Sequence, residues 1–227
     1  MSQKHDETTA NLLIDEIEED LRHERYANIW KKYAAFFSAA AVIIVVAVVG
    51  WQIWRAWTHE QRRHSSVRYE AAMTLLGQGK THEAATELAE LAKNGSSGYR
   101  LLARFQQAEM KVHAGDLKDA SALYHAIAAD GGVDRIYRGM ALIKAGYLDL
   151  SIKPPAIVAK EVAPLTAKGD PWRYSAREIT ALAALKEGDR AKAVSLFTAL
   201  SSAAGAPQGL RARAAQMVDI EKAKTAG

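Results

Sequence analysis

Histidines and carboxylates are the residues of this 227-residue chain that could do metal or acid–base chemistry, because it holds seven histidines and no cysteine. None of the histidines has the H-E-x-x-H spacing that places two zinc ligands on one face of a helix. His59 and His64 are close in sequence, but Arg62 and Arg63 lie between them and would repel a cation. The histidines are therefore predicted to be ordinary surface residues.

Motifs for nucleophilic or phosphate chemistry are also missing from the sequence. It has neither a G-x-S-x-G nucleophile motif nor a glycine loop of the kind that holds phosphate. Acid pairs such as Glu87 and Glu90 fit the solvated face of an amphipathic helix. We therefore predict no catalytic, metal-binding or cofactor-binding residues and a protein that is not an enzyme. An enzyme without a familiar motif stays an alternative, which a deep polar pocket with clustered ionisable residues would favour.

An uncharged segment of 21 residues runs from Ala34 to Trp54. At about 1.5 Å per residue, a helix of that length covers about 30 Å, the thickness of a bilayer's hydrocarbon core. A cleaved signal peptide is excluded because 33 residues precede the segment and its apolar run is too long. We predict a single-pass transmembrane helix over residues 34–54. Aromatic side chains that settle at the headgroup level flank it: Trp30, Tyr33, Trp51, Trp54 and Trp57.

Charge divides the chain into unlike parts. Residues 1–33 carry 5 basic and 8 acidic residues, a net −3, whereas residues 55–227 carry 25 and 18, a net +7. Four basic residues lie within twenty residues of the span on each side, so the positive-inside rule leaves the orientation open. The arm before the span reads as an amphipathic helix, and a juxtamembrane stalk or a docking helix fits it equally well. The basic excess lacks a nucleic-acid motif, so anionic headgroups or an acidic protein partner are the predicted contacts.

Three similar turns, at residues 79–84, 115–120 and 188–193, indicate an internal repeat after the span. In each, a glycine ends one helix and an alanine follows five residues later; Thr81, Asp116 and Asp189 are predicted to cap the next helix. Twelve residues before each of these alanines lies another alanine, and four residues after each lies a large apolar residue. This pattern resembles the tetratricopeptide repeat, in which small residues let two helices approach closely. The predicted packing residues are Ala72, Ala84, Leu88, Ala108, Ala120, Tyr124, Ala181, Ala193 and Phe197.

The spacing between the turns predicts an all-α fold for residues 55–227: about four helix pairs and a closing helix. The degenerate third pair lies near residues 131–168, with Pro154 and Pro155 in its turn, and the closing helix covers residues 208–224. The first helices of the pairs are predicted to line a partner-binding groove. On this register its residues are Tyr69, Met73, Phe105, Glu109 and Leu182, although the core between repeats accounts for some of them equally well.

The arm, span and repeats together resemble the YfgM-like family of bacterial inner-membrane proteins, described as ancillary subunits of the SecYEG translocon. The most telling residues are the entry LRHERYANIWKKY at 21–33 and the exit GWQIW at 50–54. The resemblance implies a cytoplasmic N-terminus and a periplasmic repeat domain. It also implies association with translocon subunits and with periplasmic chaperones that receive emerging chains.

We therefore expect a membrane-anchored adaptor that assists protein translocation by handing secreted chains to chaperones. A periplasmic repeat scaffold for envelope assembly or cell division shares every one of these features and stays an alternative. The client and the oligomeric state cannot be derived from the residues.

Overall fold

The computed structural model describes the backbone of residues 3–226 and the side chains of residues 32 and 36–224. Within this part every regular element is helical, which confirms the predicted all-α fold. A short 3-10 helix, Ala163–Thr166, follows α6. The α-helices are α1 (Gln3–Gly77), α2 (Thr81–Asn94), α3 (Ser97–His113), α4 (Leu117–Ala128), α5 (Arg135–Asp149), α6 (Pro155–Val162), α7 (Arg173–Lys186), α8 (Arg190–Ser201) and α9 (Gln208–Ala226).

The chain divides between Glu60 and Gln61 into two compact units. In the first unit, α1 carries the apolar segment. A stretch of α1, Phe36–Gly77, is long and apolar enough to cross a membrane, and its most apolar window has a mean hydropathy of 2.3 with none of it buried. An all-round apolar helix that is fully exposed in water would be unstable, so lipid is its natural solvent. The predicted bounds of 34–54 stay a prediction.

The aromatic residues at the far end of the apolar segment are described, and those at its entry are not. Trp51, Trp54 and Trp57 are all exposed, and the Arg55 guanidinium lies 5.4 Å from the Trp51 ring centroid. The side chains of Trp30 and Tyr33, and the predicted amphipathic face of residues 11–33, lie outside the described residues; the backbone there is helical.

The second unit is a series of antiparallel helix pairs closed by α9. Residues 61–77 of α1 pair with α2, and the pairs α3–α4, α5–α6 and α7–α8 follow, with consecutive helices in contact. The predicted four pairs and closing helix are therefore present. The third pair differs in its turn, where Pro154 precedes α6 and Pro155 opens it. Proline is tolerated there because the first helical N–H has no partner within the helix.

The three similar turns share one backbone geometry. Gly79, Gly115 and Gly188 have φ of 75°, 78° and 84°, a left-handed conformation that glycine adopts without steric cost. In each turn the next residue donates its N–H to the carbonyl five residues back, as Asp189 does to Ala184 at 3.0 Å. This is the Schellman arrangement, which satisfies carbonyls at a helix end.

The predicted side-chain caps form at one of these turns. The Asp189 carboxylate accepts from the Lys192 N–H at 3.0 Å. The predictions at Thr81 and Asp116 are wrong. Thr81 already belongs to α2 and its hydroxyl donates back to the Gly79 carbonyl, whereas the Asp116 carboxylate accepts from the Lys111 ammonium at 2.8 Å.

The nine residues assigned to repeat packing are all buried; seven belong to three hydrophobic clusters, and Ala84 and Ala120 are buried outside them. Ala181 of α7 and Ala193 and Phe197 of α8 belong to one cluster, which reaches α9. In the first pair Ala72 shares a cluster with Leu88, and in the second pair Ala108 shares one with Tyr124. That small residues set the helix spacing and large ones fill it stays a prediction, with which this burial agrees.

Candidate protein-interaction surface

The first helices of successive pairs are joined by polar side-chain contacts, which fix them side by side as a row. We call α3, α5 and α7 with the closing helix α9 the first-helix row. On α5, the Lys144 ammonium forms an ion pair with Glu109 of α3, and the Tyr147 hydroxyl donates to Glu178 of α7 at 2.5 Å. Arg213 of α9 donates to the same Glu178 carboxylate at 3.0 and 3.1 Å. The row is therefore one ordered surface rather than separate helices.

Glu109 is a partly buried carboxylate whose charge is paired with Lys144. Burial favours the neutral form of Glu109, but hydrogen bonds from Lys144 and Tyr124 outweigh it and lower the pKa of this carboxyl. The Lys144 ammonium also lies 5.6 Å from the centroid of the Tyr124 ring, within reach of a cation–π attraction. Glu109 is thus a fixed anion on the first-helix row, and it is already paired.

Glu178 is a buried carboxylate whose oxygens are satisfied by donors from both neighbouring helices. Burial, together with the hydrogen bond to Glu178, raises the pKa of the Tyr147 hydroxyl well above its usual value. The Glu178 carboxylate in turn raises the pKa of Arg213. Because a buried charge is tolerated when it is paired and hydrogen-bonded, Glu178 acts as a tie between α5, α7 and α9.

The structure distributes the five predicted groove residues between core and surface. The Tyr69 and Tyr99 ring centroids lie 5.9 Å apart with the rings tilted by 52°. Phe105 is buried with its ring centroid 6.0 Å from that of Tyr124, and Leu182 packs against two hydrophobic clusters. Met73 is half-buried, and Glu109 is held by Lys144. The role of all five in partner binding stays a prediction.

An exposed apolar patch lies on the same row and was not singled out from the sequence. Leu102, Ile136 and Tyr137 are 45%, 47% and 46% exposed. Leu102 precedes Glu109 by seven residues and Tyr137 precedes Lys144 by seven, which is two helical turns in each case. Because the ion pair joins the two helices, which run in the same direction, Leu102 and Tyr137 lie at the same level of α3 and α5. We call Leu102, Ile136 and Tyr137 the first-helix patch.

His125 differs from the sequence prediction of an ordinary surface histidine. Its Nε2 lies 2.7 Å from an Asp149 carboxylate oxygen that is fully buried, and Ser121 donates to the other oxygen at 2.5 Å. The Lys153 ammonium lies 2.9 Å from Asp149 and 3.1 Å from Glu161. This set, the Asp149 node, joins α4, α5 and α6.

The Asp149 node has the composition of a metal site but holds its own cation. His125, Asp149 and Glu161 could together offer three ligand atoms to a metal ion. The Lys153 ammonium, 3.0 Å from His125 Nε2, takes the central position. Burial opposes its charge, but the hydrogen bonds to Asp149 and Glu161 outweigh it and raise the pKa of Lys153. The node is therefore a salt-bridge network.

Comparison with known proteins gives two matches. The model of a tetratricopeptide repeat-like domain family matches residues 4–146, more than half of the chain. An ancillary SecYEG translocon subunit of Escherichia coli (strain K12) is 25% identical over 162 residues, which cover 71% of this chain and 77% of the relative. No solved structure matches the chain.

These matches confirm the resemblance to YfgM-like proteins that the sequence indicates. Together with the apolar stretch of α1, they make this a membrane-associated protein with a repeat unit of the kind that binds other proteins. The chain belongs to the tetratricopeptide repeat-like domain family.

Proposed function

We propose that this chain is an adaptor, anchored by one transmembrane helix in the bacterial inner membrane, that acts at the SecYEG translocon. Its N-terminus lies in the cytoplasm and its repeat unit in the periplasm, where it helps to pass emerging chains to chaperones. The observation that carries the proposal is the 25% identity to an ancillary SecYEG translocon subunit over 71% of this chain, beside the family match over residues 4–146. It is not an enzyme on this proposal.

The anchor supplies the physical advantage. A repeat unit that is tethered to the membrane meets membrane partners at an effective concentration set by the tether, which raises avidity without new contacts. A weak and reversible contact with an emerging chain is then sufficient, and release to a soluble chaperone is not slowed by tight binding.

The first-helix patch is the surface on which we place that contact. An emerging chain is unfolded and exposes apolar side chains, and Leu102, Ile136 and Tyr137 offer an apolar surface that water solvates poorly. The predicted groove residue Glu109 lies on the same row, two helical turns from Leu102. The ion pair of Glu109 with Lys144 keeps α3 and α5 together while the patch is used.

Site-specific photo-crosslinking in native membranes tests this function. A benzophenone amino acid at Tyr137 should capture translocon subunits, periplasmic chaperones or a chain arrested during export. The matched position is Lys222, an exposed residue of α9 away from the patch. Capture at Lys222 but not at Tyr137 would count against the patch, and capture at neither position would count against the adaptor.

A C-terminal reporter tests the orientation separately. Alkaline phosphatase is active only outside the cytoplasm, so a fusion after Gly227 should be active, whereas a fluorescent protein that folds only in the cytoplasm should be dark there. The opposite pattern would rule out a periplasmic repeat unit and with it any handover to periplasmic chaperones.

A further inference from the structure

Helix α3 presents a second surface on the side opposite to the first-helix patch. Arg100, Arg104, Gln107 and Lys111 follow one another at intervals of four, three and four residues, so they form one stripe along the helix. Leu102 lies on the other side. The stripe is the floor of a groove, which we call the outer groove, with α2 on one side and α4 on the other.

The N-terminal end of the outer groove is a cationic cavity of about 360 Å³. Lys93 of α2 and Arg100 and Arg104 of α3 line it, with Asp130 from the loop after α4. Arg104 pairs with Asp130 at 2.6 Å. Among the described residues no carboxylate lies within ion-pair distance of Lys93 or Arg100. The cavity therefore has a surplus of two positive charges.

That surplus matches an anionic group with hydrogen-bond acceptors. Arg100 can donate two parallel hydrogen bonds to a carboxylate, and Lys93 supplies a further charge. The first turn of α3 begins at Ser97, which also lines the cavity, and its backbone N–H groups add partial positive charge. Asp130 also attracts Arg100 at longer range, but hydrogen bonds from Arg104 and from the Gly132 N–H lower the pKa of its carboxyl and occupy its oxygens.

The other end of the outer groove is a cavity of about 450 Å³ with a mainly apolar lining. Ala85 of α2, Met110 of α3, Ala114 at the end of α3 and Leu123 of α4 supply that lining. Lys111 also borders the cavity, but its ammonium pairs with Asp116 at 2.8 Å and with the neighbouring Asp119 at 3.2 Å. These two carboxylates offset the Lys111 charge, so this end of the groove has no surplus positive charge.

The distance between the two ends sets the length of a ligand that fills both. Met110 follows Arg104 by six residues and Arg100 by ten, so the ends lie about 9 to 15 Å apart along the helix at about 1.5 Å per residue. An extended peptide covers about 3.3 Å per residue, so roughly three to five residues bridge that distance.

We propose that the outer groove binds an extended segment of a partner protein in which a large apolar side chain and a cluster of acidic residues are three to five positions apart. The apolar side chain fills the cavity beside Met110 and Leu123, and the acidic cluster binds Lys93 and Arg100. This surface is separate from the first-helix patch, so the adaptor would hold a partner and a client at the same time. An anionic lipid headgroup would fill the cationic cavity and leave the apolar one open, whereas such a segment fills both.

The test uses the full-length chain in nanodiscs of uncharged phosphatidylcholine. The probe is a fluorescein-labelled decapeptide with a Leu-Phe pair and three glutamates that begin four residues later, and binding is followed by fluorescence anisotropy. Arg100→Glu should weaken binding about tenfold or more by reversing one charge of the cavity. Ala114→Trp, at an exposed position on the apolar rim, should weaken it about tenfold by filling the cavity. Lys222→Glu is the matched charge reversal and should leave binding unchanged.

Folding of the two variants is expected because both positions are exposed. An acid at position 100 also lies in the first turns of α3, where the helix dipole favours it. Circular dichroism melting checks this, and Arg100→Gln serves as the milder variant, with a smaller loss of affinity expected.

Three results would overturn the proposal. The first is equal binding by the wild type and Arg100→Glu, and the second is equal binding of a control peptide with glutamine in place of glutamate. The third is binding to vesicles with phosphatidylglycerol that Arg100→Glu abolishes, without binding of the peptide, because a headgroup would then be the ligand. Loss of client crosslinking at Tyr137 with intact peptide binding would instead count against the proposed function alone.

Discussion

The Glu178 carboxylate of α7 accepts two hydrogen bonds from the Arg213 guanidinium of α9, at 3.0 and 3.1 Å. The acid is buried, whereas the arginine side chain is 60% exposed. The two partners are therefore not equivalent: water can replace the contacts of Arg213, but it reaches Glu178 poorly. Arg213 thus holds the closing helix α9 to α7. Breaking this ion pair is unfavourable mainly because it leaves the buried Glu178 carboxylate without that donor.

Replacing the exposed partner should consequently destabilise the repeat unit through the buried one. Arg213→Met leaves Glu178 with the Tyr147 hydroxyl as its remaining donor among these helices, and an under-satisfied buried charge costs about 1–3 kcal/mol. We expect thermal unfolding, followed by circular dichroism in detergent, to shift down by several degrees. Lys222→Met removes an exposed cation from the same helix and should not shift it. An equal shift in both variants would mean that Arg213 stabilises the unit through the net charge of α9 and not through its contact with Glu178.

Gly139 and Gly98 form a matched pair for testing close packing. A Cβ at Gly139 would lie 2.8 Å from the Trp172 Nε1, whose N–H donates to the Ile136 carbonyl, whereas a Cβ at Gly98 meets nothing within 4 Å. Gly139→Ala should destabilise the unit by about 1–3 kcal/mol because the indole must move. Gly98→Ala should be neutral or stabilise it by up to about 1 kcal/mol, since alanine is the better helix former. Urea titrations of both variants give the comparison, and stabilisation by Gly139→Ala would contradict the packing seen here.

The repeat could be predicted from the sequence because the residues that define it are close together in the chain. A glycine, the alanine five residues after it and the large residue four further on all fall within three helical turns, and the same spacing recurs at the next pair. Side-chain caps were less predictable: Asp116 and Asp189 occupy the same place in their turns, but Lys111 draws the first carboxylate away.

The Asp149 node and the first-helix patch could not be predicted, because each is formed by residues that are far apart in the sequence. Ser121 and His125 lie 28 and 24 residues before Asp149, so the packing of α4 against α5 decides that they meet. Leu102 and Tyr137 belong to different helix pairs. The ion pair between Glu109 and Lys144, two turns further along each helix, places them at the same level. The predicted groove residues were assigned from the repeat register alone. One of them, Phe105, is buried in the core between helices.

The Asp149 node predicts a dependence of stability on acid. Burial favours the neutral acid, but hydrogen bonds from Ser121, His125 and Lys153 outweigh it and lower the pKa of Asp149 below its usual value of 3.8. A group whose folded-state pKa is depressed stabilises the fold above its unfolded-state value, and that contribution is lost as the pH falls through the folded-state value.

Asp149→Asn should therefore melt below the wild type at pH 7, and the difference between the two should shrink as the pH falls below 3.8. Melting temperatures between pH 2.5 and 7 in detergent provide the measurement. Asp219→Asn, at an exposed position of α9, should follow the wild type at every pH. A constant difference for Asp149→Asn down to the lowest pH would show that its charge is not what stabilises the node.

The first-helix patch can be tested without disturbing the core, because Leu102 and Tyr137 are nearly half exposed. Leu102→Ser with Tyr137→Ser removes apolar surface that a bound chain would cover, and each side chain contributes about 1 kcal/mol when partly buried. Binding of a fluorescent, unfolded apolar peptide should weaken about thirtyfold, while the melting temperature stays within about two degrees. Ile220→Ser, at an exposed position of α9, is the matched control and should leave affinity unchanged. If Ile220→Ser weakened binding as much, the peptide would be adhering to any exposed apolar residue, and the patch would have no special role.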